Sequence, residues 1–190
     1  MPAEPAYVPP MSPELMTAEQ LLEVNIPGKQ VELVRGRLVV REPPGYLHAT
    51  IAARLCFELM QYVRAHDLGQ VVGDPGFTLA RNPDTVRAPD IAFVRRARVP
   101  DPLPIGYGEF APDVAVEVLS PHDRPGETLA KIGDWLNAGT RVVWVIDPAR
   151  RQARVYRQDG TEAVLSETDA LDGEDMLPGF SCTVAAMLGR

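Results

Sequence analysis

The sequence predicts a mixed α/β (α+β) domain, because segments of strand and helix periodicity alternate along the chain. Residues 113–119 (DVAVEVL) and 141–147 (RVVWVID) have the apolar character of buried strands. Between them, residues 124–139 (RPGETLAKIGDWLNAG) repeat apolar side chains at helical spacing. The length of 190 residues suits one domain with a substantial core and is short for two.

Composition and charge narrow the class of protein. Apolar residues make up 45% and charged residues 24%, which is typical of a globular domain, and we expect neither a membrane span nor a signal peptide. The net charge of −7 argues against a dedicated coat for DNA or RNA but permits an enzyme that contacts nucleic acid locally. Cys56 and Cys182 are too few for a disulfide framework, so we expect free thiols in the cytoplasm.

The N-terminal third begins with an arm. Residues 1–16 contain five prolines and predict a flexible or extended segment, whereas residues 17–190 predict a single domain. A short helix over 17–24 is followed by a hairpin over 30–42, whose turn is Arg35-Gly36. A long helix over 47–66 then carries apolar residues at every fourth position.

The remainder of the chain alternates strands, loops and helices. Strands are predicted over 71–74, 76–80 and 90–95, and the proline- and glycine-rich loop over 98–112 is long enough to suggest a functional role. Leu129, Ile132, Trp135 and Leu136 are predicted to face inward from the helix after the strand 113–119. A hairpin with its turn at Asp159-Gly160 and a short helix from about Thr183 complete the chain.

A charged residue interrupts the apolar strand 113–119. Side chains alternate along a strand, so Asp113, Ala115 and Glu117 share one face, while the valines between them fill the other. An unpaired carboxylate in such a place costs several kcal/mol to desolvate, so Glu117 needs a partner. Asp113 lies about 13 Å away along the strand, too far to share an ion with Glu117, and is interpreted as structural.

Asp90 is the better partner for Glu117. If the strand that Asp90 begins pairs with 113–119, the two carboxylates approach within a few ångströms. Two acids at that distance repel unless a proton or cation lies between them. Hard divalent ions such as Mg²⁺ or Mn²⁺ prefer these oxygens, and the Val118 carbonyl could add another.

Lys131 is one of only two lysines in an arginine-rich chain. It lies in the second helical turn after Pro125, at the edge of the apolar stripe, so its ammonium can reach the carboxylates. A compact ammonium can orient an attacking water or stabilise charge on a phosphate. Aspartate, glutamate and lysine around a metal ion are suited to phosphodiester hydrolysis.

These residues lie in segments that resemble a known family. "APDIAFV" and "PDVAVEVLSPHDRPGETLAKIGDWLNAGTRVVWVIDPARRQARVYR" resemble the Uma-two family, part of the PD-(D/E)-x-K restriction-endonuclease-like superfamily, over roughly residues 17–188. The resemblance implies a restriction-endonuclease-like fold, with a mixed, curved sheet flanked by helices, and a Mg²⁺- or Mn²⁺-dependent endonuclease acting on DNA. It also implies that Asp90 and Glu117 hold the metal. The superfamily lysine would fall at Leu119, and Lys131 occupies the place to which the Uma-two lysine has moved.

Several residues have two interpretations at this stage. Glu32 could complete the acidic site or form an edge-strand salt bridge, and His48 could point into the same cleft or cap its helix. His122 could contact substrate or be an ordinary loop residue. Arginines could contact phosphates or lie on solvated faces: Arg95, Arg96, Arg98, Arg150, Arg151, Arg154 and Arg157.

The function also has two interpretations. The first is a Mg²⁺-dependent endodeoxyribonuclease, with a homodimer expected by analogy to restriction nucleases that pair to cut two strands. The second is a catalytically degenerate nuclease fold that serves as a binding or assembly module, which the acidic net charge and the displaced lysine favour. Metal binding discriminates between them, because the second needs no metal.

Overall fold

The computed structural model of the chain describes residues 15–189, so residues 1–14 of the predicted arm lie outside the described residues. Within residues 15–189 the four α-helices are α1 (Ala18–Leu22), α2 (Tyr46–Ala65), α3 (Pro125–Asn137) and α4 (Val184–Leu188). The twelve strands are β1 (Gln30–Val34), β2 (Arg37–Arg41), β3 (Gly69–Gly73), β4 (Phe77–Ala80), β5 (Thr85–Arg87), β6 (Ile91–Arg95), β7 (Val114–Val118), β8 (Val142–Asp147), β9 (Gln152–Arg157), β10 (Glu162–Leu165), β11 (Ala170–Asp172) and β12 (Ser181–Thr183).

The central sheet has six strands in the order β10-β9-β8-β7-β6-β3. Strands β7 and β8 are parallel because α3 connects them, and the other neighbours are antiparallel. The predicted pairing of the strand after Asp90 with the strand of Glu117 is confirmed, with Ile91 opposite Val116. The sheet is therefore mixed, as the sequence predicts.

A second, four-stranded sheet has the order β2-β1-β5-β4. The predicted hairpin is present as β1 and β2, with Arg35 and Gly36 both at positive φ in its turn. Strand β5 was not predicted, because three residues are too few to show alternation. It pairs with both β1 and β4, and so places the hairpin in a sheet of its own. Strands β11 and β12 form a small third sheet.

Helices cover both faces of the central sheet. The valines of β7 pack with α2 and α4 on one face, whereas Ala115 packs with α3 on the other. Ile132 and Trp135 of α3 are buried as predicted, but the prediction for Leu129 is wrong, since it is 57% exposed. Leu129 lies in the second turn of α3 and lines a surface groove instead of the sheet.

Two further predictions concern the class of protein. Within residues 15–189, no helix combines the length and apolar character that crossing a membrane requires. Cys56 and Cys182 are both free thiols in this part of the chain, as the sequence predicts.

Candidate active site

Asp90 and Glu117 lie next to each other at the end of two paired strands. Glu117 is buried in β7 and points toward α3, on the same face as Ala115. Asp90 precedes β6 by one residue and continues the register that sets Ile91 opposite Val116, so Asp90 lies opposite Glu117. The Val118 amide donates a hydrogen bond of 2.6 Å to Oδ2 of Asp90, which fixes this carboxylate on the β7 backbone.

Lys131 reaches this pair from α3. Its Nζ lies 2.8 Å from Oε2 of Glu117, 3.0 Å from Oε1 of Glu32 and 2.7 Å from the Ala88 carbonyl oxygen. An ammonium has three donors, and these three acceptors match them. The side chain is 12% exposed, so its charge is largely removed from water. The lysine of the following helix therefore contacts the carboxylate cluster, as the sequence predicts.

Trp135 holds the other oxygen of Glu117. Its indole Nε1 donates a hydrogen bond of 2.9 Å to Oε1, and its ring is fully buried against Phe77. Sequence reasoning treated Trp135 only as an apolar core residue. The available signal was its position four residues after Lys131, because residues at this spacing share one face of a helix.

Glu117 has a raised pKa. Burial raises it to about 7, with Asp90 and Glu32 adding to the effect and Lys131 opposing it. One ammonium is shared between two carboxylates, so it cannot fully offset the cost of charging Glu117. Burial alone would lower the pKa of Lys131, but Glu117 and Glu32 together hold it above its ordinary value. The positive charge of Lys131 therefore does not fully neutralise Glu117.

Glu32 belongs to the same cluster. It is buried on β1, an interior strand of the four-stranded sheet, so the edge-strand interpretation does not apply. Its Oε2 accepts from Arg87 at 3.0 Å and from Arg41 at 3.3 Å. Burial raises the pKa of Glu32, but Lys131 and the two arginines lower it to about 2. Glu32 therefore stays ionised and anchors Lys131.

Arg87 connects the cluster to α3. It is buried on β5, and besides Glu32 it binds Asp134 through Nε at 2.9 Å and Nη2 at 2.6 Å. Sequence reasoning missed Arg87 and Asp134. Asp134 had a signal in the sequence, because it follows Lys131 by three residues on the same helix face. Arg87 had none, because the strand β5 that carries it is too short to be recognised.

His48 contacts the cluster from the first turn of α2. Its Nε2 lies 3.2 Å from Oδ2 of Asp90, so the interpretation in which it points into the cleft agrees with the structure. Burial alone would lower the pKa of His48, but Asp90, Asp123 and the Val118 backbone raise it above its ordinary value. Its Nδ1 is buried and has no hydrogen-bond partner within residues 15–189.

The remaining candidates lie elsewhere. Asp113 is fully buried and accepts from Arg95 and Arg98, which supports its structural interpretation. His122 is exposed in the loop before α3. Most of the other predicted arginines pair with acids: Arg96 with Asp67, Arg150 with Asp147, Arg151 with Glu167 and Arg157 with Glu174. Arg154 has no such partner among the described residues.

The oxygens of this site suit a hard divalent ion. Asp90 and Glu117 lie opposite each other on two paired strands, and the Asp90 carboxylate accepts from the Val118 amide that follows Glu117. Each carboxylate oxygen can accept from more than one partner, so the contacts of Lys131 and Trp135 leave capacity on Glu117. Residues 15–189 contain no group of three His, Cys, Asp or Glu side chains arranged for a metal. An ion here would thus need water to complete its coordination.

A groove adjoins the site. A small recess is lined by Glu117 and Lys131 and shares Leu119, Asp123 and Thr128 with a groove of about 910 Å³. The groove also contains His48 and extends across α2, α3 and the ends of β8 and β9. The groove therefore adjoins the carboxylate cluster.

Comparisons with known proteins agree with this architecture. The fold is similar to the solved structure of "a putative nuclease belonging to DUF820" from Anabaena variabilis, with a TM-score of 0.81 and 20% identity over 91% of this chain and 97% of that chain. This likeness confirms the predicted fold class. A comparison with curated proteins finds no match. The Uma2 family, described as "Putative restriction endonuclease", matches residues 18–185. Since that match spans nearly the whole chain, the protein belongs to the Uma2 (Uma-two) family.

Proposed function

We propose that this protein is a metal-dependent endonuclease that hydrolyses phosphodiester bonds of DNA. The description of its family supports nucleic acid as the substrate. The observation that carries the proposal is the convergence of Asp90, Glu117 and Lys131 beside an open groove, with Nζ of Lys131 2.8 Å from Glu117. The free thiols support a reducing, cytoplasmic setting for this activity.

Asp90 and Glu117, with the Val118 carbonyl, would hold Mg²⁺ or Mn²⁺. A bound ion of this kind supplies Lewis-acid stabilisation of the phosphate charge. The raised pKa of Glu117 supports this assignment, because a nearby cation would offset the charge that Lys131 leaves uncompensated. Trp135 and the Val118 amide orient the two carboxylates before substrate arrives.

We assign to Lys131 two roles: it orients the attacking water and stabilises the negative charge that develops on the phosphate. Glu32 and the Ala88 carbonyl keep its ammonium beside Glu117, where it can donate to an attacking water or a phosphate oxygen. His48 positions Asp90 through the contact at Nε2. Its role is indirect, so its replacement is expected to slow turnover less than replacement of Lys131.

The test is nicking of supercoiled plasmid with Mg²⁺, Mn²⁺ or EDTA. The proposal expects cleavage with the metals, none with EDTA, and loss of cleavage in Asp90→Asn and Glu117→Gln. Glu162→Gln is the control, because Glu162 is an exposed acid on β10 outside the site. Cleavage that survives EDTA or both site substitutions would contradict the proposal.

A degenerate nuclease fold acting as a binding module is the second candidate. It is favoured by one observation: all three donors of Lys131 already have protein acceptors, as in a purely structural ion pair. This candidate expects no saturable Mn²⁺ binding and no cleavage. Calorimetry with Mn²⁺ therefore separates the two functions without reference to a substrate.

A further inference from the structure

The groove beside the site has an apolar rim with one prominent aromatic ring. Tyr46 begins α2 and is 91% exposed, and Leu47 and Leu129 on the same groove are 59% and 57% exposed. Pro121 and Pro148 line the groove as well. Exposed rings beside apolar and proline surface are suited to stacking with flat, unpaired groups.

The groove also contains a cation without a protein partner. Arg154 on β9 is half-buried and has no hydrogen bond or ion pair within residues 15–189, whereas neighbouring Arg150 is engaged by Asp147 at 3.0 Å. Strand register sets Glu117 opposite Val145, and Val145 opposite Arg154. These three residues form one row on one face of the sheet, so Arg154 lies about 10 Å from Glu117 at the usual strand spacing.

From this arrangement we infer that the groove binds one unpaired strand of nucleic acid, with a base stacked on Tyr46 and a phosphate on Arg154. The inference rests on the proposed function and narrows its substrate from DNA in general to unpaired strands, so supercoiled plasmid would be nicked at its transiently unpaired segments. A phosphate on Arg154 would lie about 10 Å from Glu117 at the usual strand spacing. The groove shares Leu119, Asp123 and Thr128 with the recess of Glu117, so one strand can reach both positions. Stacking selects unpaired bases, since bases in a duplex do not offer their faces to a side chain.

Charge favours one strand over a duplex. Duplex binding depends on neutralising many phosphates with lysine and arginine. This chain has a net charge of −7, and the groove contains Asp123 and Asp147 beside its two arginines. Among residues 15–189, Arg154 is the one arginine of the groove without a protein partner, and it suits one or two phosphates of one strand.

The experiment measures binding of a fluorescein-labelled oligo-dT of about 12 nucleotides, a typical single-strand site size, by fluorescence anisotropy in EDTA. The matched probes are a duplex of the same length and an oligo-U. We expect the single strand to bind more tightly than the duplex at every salt concentration. The comparison of oligo-dT with oligo-U shows which of these DNA and RNA probes the groove prefers, and either preference supports the inference.

Two variants separate the stacking contact from the phosphate contact. Tyr46→Ala should weaken single-strand binding by at least about fivefold, the lower end for one base on one aromatic ring, without changing the salt dependence. Tyr46→Phe should retain affinity. Arg154→Gln should reduce the slope of log affinity against log salt by about 0.7, the value for one phosphate of a single strand.

Matched controls lie on the same helix as Tyr46. Phe57 is an exposed aromatic residue of α2 that does not line the groove, and Arg64 is an exposed arginine in its last turn. Phe57→Ala and Arg64→Gln should bind the single strand as wild type does. Thermal unfolding of each variant verifies that the fold is retained.

The inference is overturned if the duplex binds as tightly as the single strand, or if Tyr46→Ala and Arg154→Gln bind like wild type. It is also overturned if no saturable binding occurs up to about 100 μM, the weak limit of non-specific association. Because EDTA prevents metal-dependent cleavage, this result is independent of the nicking assay. Binding without nicking would refute the proposed function alone, and nicking without groove binding would refute this inference alone.

Discussion

The indole Nε1 of Trp135 donates a 2.9 Å hydrogen bond to Oε1 of Glu117, one α3 turn away from the ammonium that holds Oε2. A neutral donor and a cation therefore share the two oxygens of one buried carboxylate. This contact gives a core tryptophan a second function, because it restricts the carboxylate to one orientation. It also explains part of how Glu117 is tolerated between the apolar residues of β7.

Trp135→Phe is expected to destabilise the protein more than Trp144→Phe. Both indoles are fully buried and each packs on an aromatic ring at 6.0 Å, against Phe77 and Phe180 respectively. Only Trp135 donates a hydrogen bond, since Nε1 of Trp144 has no partner within residues 15–189. The difference in unfolding free energy should be about 1.5–3 kcal/mol, the contribution of a hydrogen bond to a charged group.

Denaturant unfolding of the two variants at pH 8 provides this comparison. Both substitutions remove the same ring volume, so the loss of packing is matched and the hydrogen bond is the difference. If the orientation of Glu117 matters for metal, Trp135→Phe should also weaken Mn²⁺ binding while Trp144→Phe does not. Equal stability and equal metal affinity in the two variants would show that the Trp135 contact is incidental.

Metal binding should require both strand-end acids. Wild-type protein is expected to bind Mn²⁺ by isothermal calorimetry, and Asp90→Ala or Glu117→Ala should abolish the heat of binding, because each removes one of two carboxylates. Glu162→Gln should bind normally, since Glu162 lies on the edge strand β10. Retention of wild-type affinity in both alanine variants would place any metal elsewhere.

Stability without metal should depend on pH in two opposite ways. Glu32, with a pKa of about 2, binds fewer protons than the unfolded chain, so stability should rise between about pH 2 and 4.5. Glu117, with a pKa of about 7, keeps a proton that the unfolded chain has lost, so stability should fall between about pH 4.5 and 7. That fall should be about 3 kcal/mol, from 1.36 kcal/mol per pKa unit.

Glu117→Gln isolates the second effect. In EDTA the variant should lose most of the fall between about pH 4.5 and 7 and be at least as stable as wild type at pH 8. His48, whose pKa is raised, adds a fall of its own above its ordinary pKa of 6.5, so the comparison is repeated in His48→Gln. A loss of several kcal/mol at pH 8 would instead identify Glu117 as a structural ion-pair partner.

Lys131→Arg should retain the fold and Mn²⁺ binding but cleave plasmid about 10²–10³-fold more slowly, as removal of one transition-state donor typically does. The ammonium fits between Glu117, Glu32 and the Ala88 carbonyl at 2.7–3.0 Å, and a planar guanidinium is too wide for that geometry. Lys131→Ala should be at least as slow. Cleavage at the wild-type rate by both variants would exclude a catalytic part for Lys131.

The sequence predicts the centre of this site better than its surroundings. Alternation along 113–119 indicates which face carries Glu117, and the pairing that brings Asp90 opposite depends only on strand register. Lys131 could be selected because lysine is rare in this chain and its helix follows directly. These inferences rely on alternation along one strand, on the pairing of two strands and on the helix that directly follows.

Residues contributed by the second sheet were harder to foresee. Glu32 had two interpretations because its partners, Arg87 and Lys131, come from other elements that sequence spacing does not relate to it. Leu129 was assigned to the core because helical periodicity gives the apolar face but not how far the sheet extends beneath it. Such contacts depend on how separate elements dock, which local patterns do not encode.

The ion pairs around Lys131 also join two separately hydrogen-bonded layers. Glu32 and Arg87 belong to the four-stranded sheet, whereas Lys131 and Asp134 belong to the helix that covers the central sheet. The carboxylate cluster is therefore complete only after both layers have docked, through contacts distant in sequence whose formation must first overcome loop-closure entropy. A partly folded chain would lack the assembled site, so under the proposed function it could not yet cleave DNA.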